Sequence, residues 1–482
     1  MDEKIMRKLQ ILADSAKYDV SCSSSGVSRS NNGEIGSART AGICHSWGAD
    51  GRCISLLKVL FTNKCQYDCE YCVNKRSNDF PRASFEPEEL AKLTIEFYRR
   101  NYIEGLFLSS AVEVSPDYTA ERILRCLQIL RYEYGFAGYI HAKIIPGVSP
   151  EILHEIGLVA DRLSVNIEMP TGKALERFAP QKKPKQIFAP MRQITNTLIE
   201  TKALKGPGNM FKGENINNEG HYLASAAGQD TLPGLQPANI AELRNKQMKR
   251  GVFAAAGQTT QMIIGAGQET DKSILTTGEN LYRIFKMKRV YYSAYIPVVE
   301  SPILPDQTTA PPLMREHRVY QADWLLRFYG FTVEEIFSGG EGENLDPDLD
   351  PKVMWALRNL DKFPIEVNKA SYHELMRIPG IGHVSATRII RQRKHAAVRF
   401  DDLKKMGVVM KRAKYFLLCC GRYWGDRKFQ PEIIKNAILG LESGLQMSLF
   451  GSGFLGYDST WKPIEAKHRQ EKLLEIGKVD LG

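Results

Sequence analysis

The sequence predicts an α/β protein built on a parallel sheet, open or curled into a partial barrel, followed by a small all-α module. Three observations carry this. Between residues 56 and 300, six short β-branched or aromatic runs alternate with helix-length segments. After about 300 the strand-like runs give way to helical patterns. Near residue 380, two glycines separate two short amphipathic segments inside a basic block.

The expected strands cover 56–61, 105–110, 138–144, 162–168, 259–265 and 289–295. Helices are expected over 87–100, 118–134, 150–157, 184–202 and 270–286, with Pro87, Pro150 and Pro184 where helices begin. Residues 1–55 read as a leader, helical over 4–16 and otherwise irregular, packed on the barrel. The 56–300 unit is interrupted at 205–237 by a Gly/Asn/Ala/Gln-rich insertion read as a mobile loop, with a short helix expected over 239–250. A helical connector spans 301–361, with helices at 314–329 and from Asp350-Pro351. Asp346, Asp348 and Asp350 lack the glycine and closing glutamate of a calcium loop and read as capping groups. Residues 362–425 form the basic module and 426–482 a tail.

A chain of 482 residues exceeds one compact core. Its 43% hydrophobic and 25% charged content is that of globular protein, with no apolar run near the ~20 residues of a membrane span. The polar start, Met1-Asp2-Glu3-Lys4, lacks a signal-peptide core, so the expected address is cytoplasmic, with no membrane partner. Nine cysteines, an odd number without a secretory signal, point to metal or redox chemistry rather than disulfides. Within 366–425, 13 Lys/Arg face 4 Asp/Glu, a local +9 in a chain of net +10. An acidic polymer is the natural partner of such a block.

The cysteines cluster at Cys65, Cys69 and Cys72, a C-x3-C-x-aromatic-C run with Tyr71 before the third, directly after the first strand. Three thiolates can hold a [4Fe–4S] cubane with one iron left open. A zinc site would need a fourth ligand, for which Cys44, His45 and Cys53 are available. With Cys22, these could also hold a second metal or remain inert thiols. Cys126, Cys419 and Cys420 lie in helical patterns and read as core.

The triad and its position resemble those of the radical S-adenosylmethionine (SAM) superfamily. That resemblance implies a partial (β/α)6, TIM-like barrel, with the open iron chelating SAM. After the second strand, where the superfamily often carries Gly-Gly-Glu against the methionine amino group, this chain has Ser109, Ser110 and Glu113. Ile263 to Thr270 resembles the superfamily's adenine-contacting segment, with Gly265 and Gly267 as turn glycines. On the third and fourth strands, His141, Lys143, Ser164, Asn166 and Glu168 alternate with apolar residues and share one face per strand. Polar side chains inside a helix-covered barrel are costly unless they line a site or bond one another. Asn166 and Glu168 are expected to meet ribose or substrate, and His141, Lys143 and Tyr292 are the candidate catalytic groups. Tyr291, Tyr292 and Tyr295 could instead pack in the core.

In the basic module, segments 370–376 and 384–393 flank Ile378-Pro379-Gly380-Ile381-Gly382. This is similar to a helix-hairpin-helix DNA-binding motif. Gly380 and Gly382 would let backbone approach a phosphate, with Arg388, Arg391, Arg393 and Lys394 beyond. A basic protein-docking pair is the alternative. Residues 402–415, turning at Met406-Gly407-Val408, resemble a degenerate second copy. In the tail, Gln446-Met447-Ser448-Leu449-Phe450 is similar to sliding-clamp peptides, with Gln446, Leu449 and Phe450 as plugs.

The whole arrangement resembles a bacterial family of DNA modification or repair radical SAM proteins with this C-terminal motif, encoded beside a protein related to uracil-DNA glycosylase. The resemblance implies radical chemistry on DNA, fed by an external electron donor. The alternatives are radical modification of RNA, or a DNA-binding protein using its cluster as a redox sensor.

Overall fold

A computed structural model of the chain describes residues 3–16, 43–47, 53–205, 252–425 and 428–440. The expected 205–237 insertion, the 239–250 helix and the 446–450 peptide fall almost wholly outside the described residues, as does Cys22. The side chains of Cys44, His45 and Cys53 lie outside them too. Among the described residues, no helix is long and apolar enough to cross a membrane.

Six parallel strands run in sequence order: β2 (Cys53–Leu60), β3 (Gly105–Ser109), β4 (Tyr139–Lys143), β5 (Arg162–Ser164), β6 (Gln258–Ile264) and β7 (Arg289–Ala294). Each neighbour follows its predecessor, and the sheet curls into a half-barrel. Helices α2 (Pro87–Arg99), α3 (Pro116–Gln128), α4 (Pro150–Val159), α5 (Gly172–Phe178), α6 (Pro184–Lys205) and α7 (Asp271–Phe285) fill the connections. Side chains alternate between the two faces. Leu57, Val59, Leu106, Leu108, Ile140, Ala142, Leu163, Met262 and Val290 join the main apolar core under the helices. Leu56 and Phe107 form a separate cluster with Tyr139 on the other face, which fixes that face as the lumen.

The leader corrects the sequence reading. Beyond α1 (Glu3–Ala16), Ile43–Trp47 forms β1, antiparallel to β2. The 43–47 stretch therefore gives the half-barrel a seventh strand rather than irregular chain. The strand expected at 162–168 is shorter than predicted. Glu168 adopts a left-handed conformation at φ 62° and keeps only an isolated bridge to Met262. The helix expected from 118 starts at Pro116, capped by Ser115, and closes in a π-turn over Ile129–Glu133.

The connector contains α8 (Leu313–Phe328), α9 (Val333–Ile336) and α10 (Pro351–Arg358). Asp350 caps α10 by accepting from the Lys352 and Val353 amides, and Asp346 accepts from Asp348 and Leu349. Asp350 is the helix cap expected of it, and Asp346 binds the turn before it. The C-terminal region carries α11 (Tyr372–Arg377), α12 (His383–Gln392), α13 (Phe400–Lys405), α14 (Met410–Ala413) and α15 (Pro431–Leu439). It also holds a small sheet of β8 (Ile365–Glu366), β9 (Leu417–Cys419) and β10 (Arg422–Tyr423) that the sequence reading lacks. Cys419 is thus a strand residue, not a helical one. Cys420 is exposed in the turn at φ 53° rather than in the core. Cys126 is buried in α3 as expected.

Candidate active site

The cysteine loop leaves the C-terminal end of β2 and is braced along its whole length. The Phe61 amide bonds Ser109 O at 2.8 Å, Gln66 N bonds Val112 O at 2.8 Å, and Glu70 N bonds Phe178 O at 2.8 Å. Asn63 donates to Ser15 Oγ and Pro81 O and accepts from the Ala83 amide, tying the loop to α1. Arg82 gathers four backbone carbonyls, those of Asn63, Asn74, Lys75 and Asn78, at 2.6–2.9 Å. Asp68 accepts from the Ser77 amide, which holds its carboxyl below the usual range. Such a loop is ordered by its own bonds.

Within it, Cys69 is buried and Cys65 and Cys72 are half-buried. Burial, with repulsion from Cys69 and Cys65, pushes the Cys72 thiol up to about 12. Burial also raises Cys69, with Glu168 and Cys65 adding to it. Beside them sits a polar cluster. Lys182 Nζ donates to Glu168 Oε1 at 2.9 Å and to Tyr71 OH at 3.2 Å. Burial opposes the charge on Lys182, yet Glu168, Tyr71 and Cys69 hold its pKa well above the ordinary value.

The lumen is polar. Lys58, Phe107, His141 and Arg162 share one register row across β2 to β5. His141 meets the Phe107 ring edge-on at 4.5 Å, and Lys58 Nζ lies 5.9 Å from that ring's centre. Lys143 pairs in register with Ser164, and Ser164 with Thr259. Asn166 donates to Gln261 at 3.0 Å. Ser109, Ser164, Thr259, Tyr295 and the Asn166 carbonyl oxygen are buried without a hydrogen-bond partner among the described residues. Tyr292 is the exception and corrects the sequence reading. It stands on the outer face, where its hydroxyl donates to Asp323 of α8 at 2.9 Å. Register puts Tyr291, Ser293 and Tyr295 on the lumen side instead.

The other sequence candidates divide. Gly265 turns at φ 83°, and a Cβ there would lie 2.6 Å from Pro312 Cγ. Gly267, with Glu269, Thr171, Arg177 and Phe178, lines a cleft of about 290 Å³ at the barrel rim. Ser110 Oγ donates to Ala111 O. Glu113 is committed to Arg122 at 2.6 Å.

In the C-terminal region, Gly380 and Gly407 both adopt φ 86° in corresponding hairpins. They dock together: Val409 N bonds Gly380 O at 2.9 Å, and a Cβ on Gly380 would lie 2.6 Å from Val409 O. Gly382 caps α12. Buried Lys352 donates to Ile381 O at 2.6 Å, bracing the first hairpin from α10. Arg377 grips Glu335, Tyr329 O and Gly330 O, fixing α11 to the connector. Arg388, Arg391 and Lys394 are exposed. Arg388 also donates to Met406 O in the second hairpin. Arg393 instead turns inward and donates to Val367 O and Ala370 O.

Residues 59–219 match the family model described as the radical SAM superfamily, and residues 362–411 match a helix-hairpin-helix motif. The chain carries a radical SAM enzyme domain. The radical SAM superfamily uses a [4Fe–4S] cluster and SAM. No curated protein matches the sequence. Among solved structures, the chain is similar to HydG, a maturase of the [FeFe]-hydrogenase, at TM-score 0.33 and 12% identity, covering 56% of this chain and 48% of that one. It is also similar to the FeFe-hydrogenase maturase HydG from Carboxydothermus hydrogenoformans, at TM-score 0.34 and 13% identity over 72% and 74%. OxsB, a cobalamin-dependent S-adenosylmethionine radical enzyme, gives TM-score 0.23 and 16% identity over 28% and 22%. The chain spans about half the length of the first of these.

The donor set suits a cluster: Cys65, Cys69 and Cys72 lie on one braced loop, and three thiolates can ligate three irons of a cubane while leaving the fourth open. Arg82, Asn63 and Lys182 escaped the sequence reading because they sit in irregular loop. Lys58 left a signal: a lone lysine in the apolar run Leu56-Leu57-Lys58-Val59-Leu60 is costly unless it faces a site.

Proposed function

We propose that this chain modifies or repairs DNA by abstracting a hydrogen atom from a nucleotide that its C-terminal module presents to the barrel. When bound, the cluster and SAM supply a 5′-deoxyadenosyl radical. Cys65, Cys69 and Cys72 would hold the cluster, on a loop that Arg82 and Asn63 keep rigid. Ser109, Ser110, Asn166, Glu168, Gly265 and Gly267 would orient SAM and the target. Lys182 donates to Glu168 beside them. The observation that carries the DNA reading is the docked pair of hairpins, Gly380 against Val409, inside the +9 block. Backbone amides at the start of α12 and exposed Arg388, Arg391 and Lys394 suit a phosphate backbone and position a duplex without reading its sequence. A stacked base cannot reach a barrel lumen, so the target must be extruded.

An external electron donor, a partner related to uracil-DNA glycosylase, the sliding clamp at Gln446, Leu449 and Phe450, and a cytoplasmic address belong to the same proposal. The test is anaerobic incubation of reconstituted protein with reductant and SAM, with DNA, with RNA or alone. DNA-stimulated 5′-deoxyadenosine formation is expected. Stimulation by RNA alone would move the reading to RNA, and none under any condition would leave a non-catalytic cluster protein.

A further inference from the structure

Trp324 of α8 is 54% exposed, whereas Trp355 of α10 is 2% exposed. Its indole meets Phe328 one turn on, with ring centres 4.2 Å apart. Single apolar side chains open to water are common, but the neighbours of this one set it apart. Burial raises the pKa of the Tyr329 hydroxyl, and a hydrogen bond from Trp324 opposes the rise. The same hydroxyl lies 3.0 Å from where a Cβ on Gly382 would stand. Gly382 is the residue before α12, so the indole reaches the start of that helix through one tyrosine. Lys352 Nζ, 4.6 Å from the centre of the Tyr329 ring, joins that ring to Ile381 O of the first hairpin.

The helix that carries Trp324 is held from both sides. Toward the barrel, Glu316 accepts from the Ala294 amide at 2.6 Å and the Tyr320 hydroxyl accepts from the Tyr292 amide at 2.9 Å. Asp323 accepts from the Tyr282 and Tyr292 hydroxyls at 2.7 and 2.9 Å. Toward the module, Arg377 donates to Tyr329 O and Gly330 O. Trp324 therefore stands at the seam between the last barrel strand and the first hairpin. Arg388 and Arg391 are exposed farther along α12, and Arg327 lies over the Phe328 ring at 4.7 Å. An open aromatic face beside backbone amides and cations suits a polyanion that also has rings to stack.

We propose that Trp324 stacks on an unpaired base of the DNA strand whose phosphate the first hairpin holds, so that the connector favours single-stranded or locally opened DNA over intact duplex. An indole offers a π-face that any base can meet, so the preference is for unpaired bases and not for a sequence. In intact duplex the bases stack on one another and cannot reach the ring. The inference rests on the DNA reading and adds the state of the DNA that is taken up.

The test is fluorescence anisotropy of the full-length reconstituted protein with labelled oligomers of equal length: an intact duplex, the same duplex with a single-thymine bulge, its single strand, and a strand of abasic sites. Trp324→Ala should weaken binding to the single strand and the bulged duplex about tenfold, while affinity for the intact duplex and the abasic strand stays within about twofold. Trp324→Tyr should recover most of the loss, which separates stacking from a packing role. Equal loss on all four probes overturns the proposal and leaves the DNA reading standing. So does unchanged binding of the single strand and the bulged duplex, or a loss that Trp324→Tyr does not recover. No binding of any probe by the unaltered protein overturns the DNA reading, and this inference falls with it.

Discussion

The barrel and the C-terminal module both place cations and glycine turns around a prospective ligand, but they orient them oppositely. In the barrel, Lys58, His141, Lys143 and Arg162 stand on the lumen side of the sheet. In and against the module, the inward-turned cations are held by named acceptors: Lys352 by Ile381 O, Arg377 by Glu335, Arg393 by Val367 O and Ala370 O. Other cations of the module, among them Arg388, Arg391, Lys394, Lys404, Lys405 and Lys411, lie on the surface. Cations turned into a lumen suit a small, enclosed group, and cations spread over a surface suit a large polyanion.

That contrast can be broken most severely at the cysteine loop. Cys69→Ala should abolish cluster retention, read as iron content and visible absorbance after reconstitution, and with it all 5′-deoxyadenosine. Duplex affinity, measured by fluorescence anisotropy, should not change. If it falls in parallel, the two regions are not separable.

Arg82→Met comes next. It strips four carbonyls of their donor and should destabilise the loop by about 3 kcal/mol. The expected signature is faster iron loss to a chelator with little change in duplex binding.

On the other side of the comparison, Gly380→Ala forces an L side chain to φ 86° and against Val409 O, costing about 1–2 kcal/mol. Duplex affinity should drop while SAM cleavage in the absence of DNA continues. Single changes Arg391→Ala and Lys394→Ala should be milder. Each should lower the salt slope of duplex binding by about 1, uniformly across sequences.

The smallest effect concerns pH. Burial pushes Lys352 well below its ordinary 10.5. Below the folded value, both states are protonated. Between the two values, the unfolded chain binds the extra proton, so stability rises with pH across that window. Thermal unfolding at several pH values should show this rise, flattened in Lys352→Met.

The parallel alternation, the triad and the first hairpin were legible because each is a local pattern: period-two runs, a three-cysteine spacing and Pro-Gly-Ile-Gly. What escaped depends on distant partners. Which face Tyr292 takes is decided by Asp323 on a helix some thirty residues later, and no periodicity within β7 encodes that. Arg393 reads as one more surface cation until Val367 and Ala370 are brought beside it. The five residues of β1 form a strand only because the edge of β2 is open to them. Cys419 and Cys420 follow a helical rhythm, yet a three-residue strand wins there by pairing with β8 and β10. Ser109, Ser164 and Thr259 are unremarkable singly, and only register lines them up with Lys143.

The central claim is that a radical made in the barrel acts on DNA delivered by the hairpins. It is tested most directly by incubating the reconstituted enzyme anaerobically with reductant, SAM and uniformly deuterated duplex or single-stranded DNA, then weighing the 5′-deoxyadenosine by mass spectrometry. The account predicts deuterium transferred from DNA into the product, lost in Cys69→Ala and reduced in Gly380→Ala. Product formed without deuterium from either DNA would contradict it.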